Sequence, residues 1–316
     1  MTSKGIMHKI THSVMFHHFH DGQHLPAQGS LSSSDFIKVI DWLNKHYSIL
    51  NACQYKENFE NGTLKETDIC LSFDDALKCQ YDIAVPVMER LGIESFFFVY
   101  SSAFSNNPDS LEIYRYFRTA CYGNIDEFYE HFFETVEQIN TAEFSYRHAK
   151  YSALNYLSAF PFYTENDRWF RYLRDQYLVG NQYDEIMSGL MVRKDFHVDV
   201  IKKNLWMSEQ DLVLTESKGH IIGLHSYSHP TQMSKLSKTE QQLEYQRNYE
   251  HLSELIGKPI NVMSHPCGDY NDITLNILKE MNIDIGFRSS MSVKEIRSPL
   301  EIPREDHANV FKEMYE

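Results

Sequence analysis

Short apolar runs followed by longer helical patterns dominate both ends of the chain. The runs predict buried β-strands at Ser13–Phe16, Ile69–Phe73, Ser95–Tyr100, His220–His225, Asn261–Ser264 and Asp284–Arg288. Apolar residues at helical spacing predict helices at residues 35–46, 76–91, 237–256 and 272–281. Strands that alternate with helices are typical of an α/β protein with a mainly parallel sheet.

The middle of the chain has a different texture. It is rich in aromatic residues, and its pattern predicts helices at 111–122, 125–139 and 165–178. We therefore divide the chain into an α/β domain made of residues 1–102 and 207–316 and a helical insertion at 103–206. We expect the insertion to form a cap or substrate lobe. The alternative is a set of extra helices merged into the main domain.

Two adjacent carboxylates, Asp74 and Asp75, directly follow the apolar run Ile69–Phe73. At the carboxyl end of a parallel strand they would lie where α/β proteins bind their ligands. One carboxylate could then bind a cation while the other handles a proton. The alternative is that one of them simply caps a helix beginning near Ala76.

Several histidines are spaced four residues apart, and their context distinguishes them. Two of these pairs lie in polar segments near the amino terminus: His8/His12 and His20/His24. In contrast, His225 and His229 follow the apolar run Ile221–Leu224. One carboxylate and two imidazoles leave an open position on a divalent ion, as in catalytic zinc sites. Such an ion acidifies water and polarises a carbonyl group, and a second carboxylate can act as general base.

Two further segments carry candidate chemistry. The turn Ser264–Tyr270 contains Pro and Gly, and its backbone N–H groups could stabilise an oxyanion; an ordinary strand-to-helix turn is the simpler interpretation. The charged segment Glu301–His307 follows an apolar element. There His307 could protonate a leaving amine and Arg304 could orient the base carboxylate, whereas a solvated tail is the alternative.

Taken in order, these segments resemble the motifs of the NodB-like polysaccharide deacetylases, the fourth carbohydrate esterase family. Residues 72–76, Ser-Phe-Asp-Asp-Ala, resemble the family's Thr-Phe-Asp-Asp-Gly. Residues 225–229, His-Ser-Tyr-Ser-His, match its His-[Ser/Thr]-x-x-His fully. Weaker similarities link three other segments to the family's Tyr-Pro-x-Gly, Leu-Pro-Arg-x-Asp and opening Tyr-His patterns: residues 265–268, 302–306 and 15–20. The resemblance leaves residues 103–206 unexplained.

The resemblance implies a distorted (β/α) barrel, often with seven strands, in place of an open sheet. It implies that Asp74 is the base. It also implies three ligands of a divalent metal ion, which is zinc, or cobalt, nickel or iron in some members: Asp75, His225 and His229. Arg304 would take the place of the arginine that pairs with the base in the family's third motif.

One position departs from the family pattern, and the pattern leaves the identity of the catalytic acid open. Ala76 replaces the family's Gly and adds a Cβ beside the site, where it could shape access of the acyl group. The catalytic acid is one of several histidines. We expect His307 to fill this role, with His265, His17 and His18 as alternatives.

We therefore predict hydrolysis of an N-acetyl group on an amino sugar. The formal net charge of -14 argues against binding to nucleic acid or to an anionic membrane face. No apolar run resembles a signal peptide or a membrane span. The five scattered cysteines suit reduced thiols, so we expect a cytoplasmic enzyme.

A cytoplasmic location favours a nucleotide-linked or lipid-linked sugar of surface-polysaccharide biosynthesis as the substrate. A deformylase or another amidase is the nearest alternative. A catalytically silent carbohydrate-binding protein on the same scaffold is the other. The sequence makes no prediction about the oligomeric state.

Overall fold

A computed structural model describes residues 10–105, 108–158, 163–179, 181–292 and 295–315. The chain forms two compact units. The first combines Met1–Asp109 with Lys203–Glu316, and the second is Ser110–Lys202. The second unit therefore lies within the predicted helical insertion. His8, from the first of the histidine pairs, lies outside the described residues.

The strands are short, and most coincide with the predicted apolar runs. Their bounds are β1 (Ser13–Phe16), β2 (Ser48–Ile49), β3 (Asp68–Ile69), β4 (Leu71–Asp74), β5 (Phe96–Val99), β6 (Ile221–Leu224), β7 (Val262–Ser264), β8 (Ile285–Phe287) and β9 (Arg304–Asp306). β2 and β9 were not predicted. β9 consists of charged residues, so the hydrophobic pattern does not indicate a strand there. A solvated tail was the alternative interpretation of this segment.

Within the described residues, one sheet has the strand order β8-β7-β6-β5-β4-β1-β9, and its neighbouring strands are parallel. Phe287 of β8 also forms a parallel bridge with Ile302, just before β9. The Ile302 amide donates to the Gly286 carbonyl at 2.9 Å, and the Arg288 amide donates to the Ile302 carbonyl at 2.8 Å. The seven strands thus form a nearly closed barrel, which confirms the predicted (β/α) barrel.

Helices connect the strands and form the second unit. Their bounds are α1 (Ser33–His46), α2 (Ala52–Glu60), α3 (Val85–Leu91), α4 (Ser110–Cys121), α5 (Ile125–Ile139), α6 (Thr141–Ser152), α7 (Glu165–Tyr172), α8 (Gln182–Arg193), α9 (Val198–Leu205), α10 (Glu209–Ser217), α11 (Lys238–Ile256), α12 (Asp272–Glu280) and α13 (His307–Glu313). In the described ranges, no helix combines the length and apolarity that crossing a bilayer requires.

The helix predicted at 76–91 begins later in the structure, so the predicted start is wrong. Asp75 and Ala76 have φ angles of 77° and 52°, in the left-handed region that a right-handed helix excludes. A π-helical turn at Gln80–Ala84 then leads into α3. Neither Asp74 nor Asp75 therefore caps a helix beginning at Ala76, which removes the purely structural explanation for the two carboxylates.

Both faces of the barrel strands are packed with apolar side chains. Phe96 and Phe98, on one face of β5, belong to a core cluster with Phe287. Phe97 points to the opposite face, where its ring stacks on Phe73 at a centroid distance of 4.7 Å. Strands buried on both faces are continuous apolar runs in sequence. This is why the sequence located most of them.

Gly223 of β6 lies where the barrel has no space for a side chain. An added Cβ would lie 2.7 Å from Cδ1 of Phe98 and 2.8 Å from Cγ2 of Val262. Because both neighbours are fully buried, we expect Gly223→Ala to lower the free energy of unfolding by about 1–3 kcal/mol. Gly22→Ala is the control, since its added Cβ meets nothing within 4 Å. Urea unfolding measures both, and a wild-type midpoint for Gly223→Ala would contradict the prediction.

The second unit uses its aromatic residues mainly as a core. Phe117, Phe128, Phe132 and Phe170 are at most 1% exposed. The Arg118 guanidinium lies 5.5 Å and 5.1 Å from the ring centroids of Phe128 and Phe170. These four rings pack inside the unit, so they are not available at its surface to stack on a sugar.

Candidate active site

The first motif combines a strand end with a strained turn. Asp74 is the last residue of β4, and the Asp75 amide donates to the Phe98 carbonyl of the neighbouring strand at 3.0 Å. The left-handed backbone at Asp75 and Ala76 costs about 1–2 kcal/mol for each non-glycine residue. The fold maintains this conformation in a buried segment, since Asp75 is only 6% exposed. Strain of this kind is common at functional sites.

The second motif forms a loop after β6, which we call the 225–229 loop. Its two histidines do not share a helix face, although their spacing would allow it. Ser226 and His229 have φ angles of 64° and 55°, and the chain turns so that the rings of His225 and His229 lie 4.9 Å apart. The histidines therefore approach each other through a loop conformation.

Side chains of the two motifs lie close together in the structure. Oδ1 of Asp75 lies 3.5 Å from Nε2 of His225 and 3.5 Å from Nε2 of His229. The three possible ligand atoms all lie within 4.8 Å of one another, which is the only such group of His, Cys, Asp or Glu in the described ranges. The structure thus brings together the three residues named as metal ligands from the sequence.

The chemistry and spacing of this group fit a divalent ion. Two bonds of about 2.1 Å at a tetrahedral angle separate their ligand atoms by about 3.4 Å, close to the observed spacing. Nδ1 of His225 is 2.8 Å from the Ser264 carbonyl, so it carries the proton and Nε2 presents a lone pair. Burial lowers the pKa of His225 to about 3, which keeps its imidazole neutral at neutral pH.

Asp74 is paired with a buried arginine. Nη1 and Nη2 of Arg304 donate to the two carboxylate oxygens at 2.7 Å and 2.6 Å, and Nη2 also donates to Oγ of Ser264. Burial alone would raise the pKa of Asp74, but the Arg304 guanidinium and nearby histidines hold it below its ordinary value. The carboxylate is therefore ionised and fixed in orientation, as a general base requires.

His17, directly after β1, is a candidate acid that lies beside this carboxylate, as His225 also does. Its Nε2 lies 3.8 Å from Oδ2 of Asp74, and 29% of its side chain is exposed. Burial lowers the pKa of His17 to about 4, while the carboxylates of Asp74 and Asp306 act in the opposite direction. His18 follows, with its ring 6.3 Å from that of His17.

The other two candidate acids are occupied by structural contacts. Nε2 of His307 is 2.8 Å from the Gly29 carbonyl, and its ring stacks on Phe16. Nε2 of His265 is 2.8 Å from the Leu300 carbonyl, and this side chain is fully buried. The structure records contacts of Asp74 with His17 and His225 but not with His307 or His265.

The turn after β7 offers fewer oxyanion donors than expected. The Gly268 amide donates to the His265 carbonyl and the Asp269 amide donates to the Pro266 carbonyl, each at 3.0 Å. These two N–H groups are used within the turn, so they cannot also stabilise an oxyanion. Cys267 at the centre of the turn is left-handed, with φ 52°.

Some residues around the site could not be identified from the sequence. Oδ2 of Asp109 lies 3.8 Å from Nδ1 of His229. The Glu244 carboxylate and the Asn248 amide hydrogen bond to the backbone of the 225–229 loop. These residues belong to no motif, because their roles depend on contacts between segments distant in the chain.

Comparisons with known proteins identify a matching family model and solved structures with a similar fold. The sequence matches the family model for polysaccharide deacetylase over residues 194–286. No curated protein matches the chain. Among solved structures, the chain is similar to the Streptococcus pyogenes deacetylase PplD in complex with acetate, with 12% identity, a TM-score of 0.56 and coverage of 95% of this chain and 93% of that one.

Two more solved structures have the same fold. One is IcaB from Ammonifex degensii, with 12% identity, a TM-score of 0.55 and coverage of 94% of this chain and 91% of that one. The other is a de-N-acetylase from Aggregatibacter actinomycetemcomitans, with 14% identity, a TM-score of 0.53 and coverage of 93% of each chain. The matched sequence region contains the 225–229 loop, and the shared fold extends over most of the chain. Together these findings confirm the resemblance to the NodB-like polysaccharide deacetylases.

Proposed function

We propose that the protein hydrolyses the N-acetyl group of an amino sugar with the help of a divalent metal ion. The observation that carries this proposal is the convergence of Asp75, His225 and His229 beside an ionised, arginine-paired carboxylate, Asp74. An open metal site next to a general base is the arrangement that amide hydrolysis by water requires.

Each residue has a distinct role in this proposal. Asp75, His225 and His229 would hold the ion, which supplies Lewis acidity at the acyl carbonyl and makes water more acidic. Asp74 would accept the proton of the attacking water. Arg304 would keep Asp74 ionised and correctly aimed, since it donates to both carboxylate oxygens.

We assign the catalytic acid to His17 in preference to His307, which the sequence favoured. Only His17 of the two is recorded close to Asp74. The low pKa of His17 means that its imidazole is neutral in the substrate-free protein at neutral pH. It must therefore gain a proton before it protonates the departing amine, and the source is the proton that Asp74 accepts from the attacking water, because Nε2 of His17 lies 3.8 Å from Oδ2 of Asp74.

Single substitutions separate the two histidines. We expect His17→Ala to lower kcat by about 10²–10⁴-fold, the usual contribution of a general acid or base. His307→Ala should leave kcat unchanged and lower the free energy of unfolding by about 1–3 kcal/mol, because the buried His307 ring loses its packing against Phe16 and its hydrogen bond to the Gly29 carbonyl. Steady-state kinetics and urea unfolding of both variants measure these effects. The reverse pattern would restore His307 as the acid.

The proposed substrate class rests on the similar proteins. One is named a de-N-acetylase and another a deacetylase in complex with acetate. We propose that this chain likewise acts on the acetyl group of an amino sugar. A nucleotide-linked or lipid-linked sugar, zinc as the ion and a cytoplasmic location all stay predictions.

The test is a panel of acylated amino sugars, free, nucleotide-linked and lipid-linked, incubated with metal-loaded protein. We expect acetate release and a matching mass loss from at least one substrate, and none from metal-stripped protein. Release of formate in place of acetate would indicate a deformylase. Binding of sugars by metal-loaded protein without any product would support the catalytically silent alternative.

A further inference from the structure

Helix α11 presents a row of polar side chains to the 225–229 loop. Glu244 and Asn248 are four residues apart, so they lie on the same side of the helix. Asn248 is fully buried, although a buried amide is costly unless it is hydrogen bonded. Its bonding partners therefore show what this residue does in the fold.

Asn248 ties the start of the loop to the neighbouring strand. Its Oδ1 accepts from the His225 amide at 2.9 Å. Its Nδ2 donates to the Val99 carbonyl at 2.9 Å and to Oγ of Ser101 at 2.7 Å. The His225 amide also donates to the Val99 carbonyl directly at 3.2 Å, and Asn248 reinforces this link between His225 and the end of β5.

Glu244 fixes the middle of the loop. Its Oε2 accepts from the amides of Tyr227 and Ser228 at 3.0 Å and 2.8 Å, and its Oε1 accepts from Oγ of Ser228 at 2.8 Å. The Ser102 amide donates to the Tyr227 carbonyl from the other side at 2.7 Å. A carboxylate that accepts three hydrogen bonds is a strong constraint on backbone direction.

The loop needs such external support. It belongs to no helix or strand, and its two left-handed residues, Ser226 and His229, are not glycine. Non-glycine residues such as these relax to other backbone conformations unless the surrounding structure prevents it. The spacing between Nε2 of His225 and Nε2 of His229 depends on that backbone.

We infer that Glu244 and Asn248 are positioning residues, which hold the 225–229 loop in the conformation that binds the metal ion. This inference rests on the proposed function, because it assigns the two histidines as ligands. It predicts that the two residues set metal affinity without touching the ion. Partners that orient metal ligands typically change affinity by about 10–100-fold when they are removed.

The experiment compares metal affinity and stability in four variants of the full chain. Zn²⁺ dissociation constants come from competition with a chromophoric chelator, and Co²⁺ spectra report the ligand geometry. Gln241→Ala is the matched control, because Gln241 is equally buried on α11 but bonds to Leu236 and Thr274, away from the loop. The test variants are Asn248→Ala, Glu244→Ala and the conservative Glu244→Gln.

We expect Asn248→Ala and Glu244→Ala to raise the Zn²⁺ dissociation constant by about 10–100-fold and to alter the Co²⁺ spectrum. Glu244→Gln, whose amide can still accept from the loop N–H groups, should recover most of the affinity. Gln241→Ala should lower the unfolding midpoint while binding metal like the wild type. Glu244 is only partly buried, so its variants keep the test decisive if Asn248→Ala fails to fold.

Wild-type dissociation constants in Glu244→Ala and in any folded Asn248→Ala would overturn the inference. An equal loss of affinity in Gln241→Ala would also overturn it, since the effect would then be general destabilisation. A wild-type protein that binds metal but hydrolyses no acylated sugar contradicts only the proposed function. A wild-type protein that binds no metal contradicts both.

Discussion

Asp75→Ala is expected to lose metal binding at the candidate site and to lower kcat/KM by at least about a thousandfold. Asp75 is the one carboxylate among the three converging candidate ligands, and its Oδ1 lies 3.5 Å from both imidazoles. A bound ion contributes several kcal/mol to transition-state stabilisation. Each 1.36 kcal/mol corresponds to about tenfold in rate.

Thermal unfolding gives a second measure of the same loss. A divalent ion at a hundred times its dissociation constant stabilises the wild type by about 2.7 kcal/mol, and this increment should be absent in Asp75→Ala. Asp68→Ala is the control, because Asp68 is also 6% exposed but accepts a hydrogen bond from the Lys65 amide. Full activity of Asp75→Ala, or of metal-stripped wild type, would rule out the mechanism.

Arg304→Met is expected to lower the free energy of unfolding by about 3–5 kcal/mol at pH 7, the cost of leaving one partner of a buried ion pair uncompensated. Arg304 is fully buried and Asp74 is 3% exposed. Methionine replaces the long side chain but supplies no charge, so Asp74 would remain buried without the two hydrogen bonds that Arg304 donates.

The loss should depend on pH in a defined direction. In the wild type the pKa of Asp74 is lowered, so its contribution to stability is fully present above about pH 5 and is lost only as the pH falls through the folded-state pKa. In Arg304→Met, burial dominates and raises this pKa above its ordinary value. The neutral form is then favoured in the folded state, so the deficit should be smaller at pH 5 than at pH 7.

Urea unfolding of metal-stripped protein at both pH values measures the effect. The double variant Asp74→Asn/Arg304→Met is the control, since it removes both charges and should recover part of the lost stability. Arg304→Met with wild-type stability, or with the same deficit at pH 5 and pH 7, would contradict the prediction. All three proteins should be compared without metal, because an ion beside Asp75 would also influence Asp74.

Much of the barrel could be predicted because its strands are buried on both faces. The run before Asp74 has Ser72 as its one polar residue and the run before His225 has none, so their position and the residues at their ends follow from the sequence. β9 could not be found this way. Its first residue, Arg304, is charged but fully buried, and its charge is paired with the Asp74 carboxylate, which comes from a distant part of the chain.

The candidate ligands were predictable because each follows a recognisable strand and belongs to a motif. The proposed assignment of the acid to His17 in place of His307 was not predictable, because it depends on which strand end lies beside Asp74. β1 pairs with β4, which brings His17 near Asp74, and no local pattern reveals that pairing. The same reason explains why Glu244 and Asn248 were missed: their partners lie on a different segment.

The closure of the barrel by its last strand also constrains how the protein forms during translation. β9 lies between β1, the first of the described strands, and the Phe287–Ile302 bridge to β8. Until residues 302–306 have left the ribosome, the nascent sheet has two open edges, at β1 and β8, which are available for non-native pairing. Over the same interval the Asp74 carboxylate has no guanidinium beside it. Closure of the sheet and pairing of the Asp74 carboxylate with a guanidinium therefore both wait for the same segment of the chain.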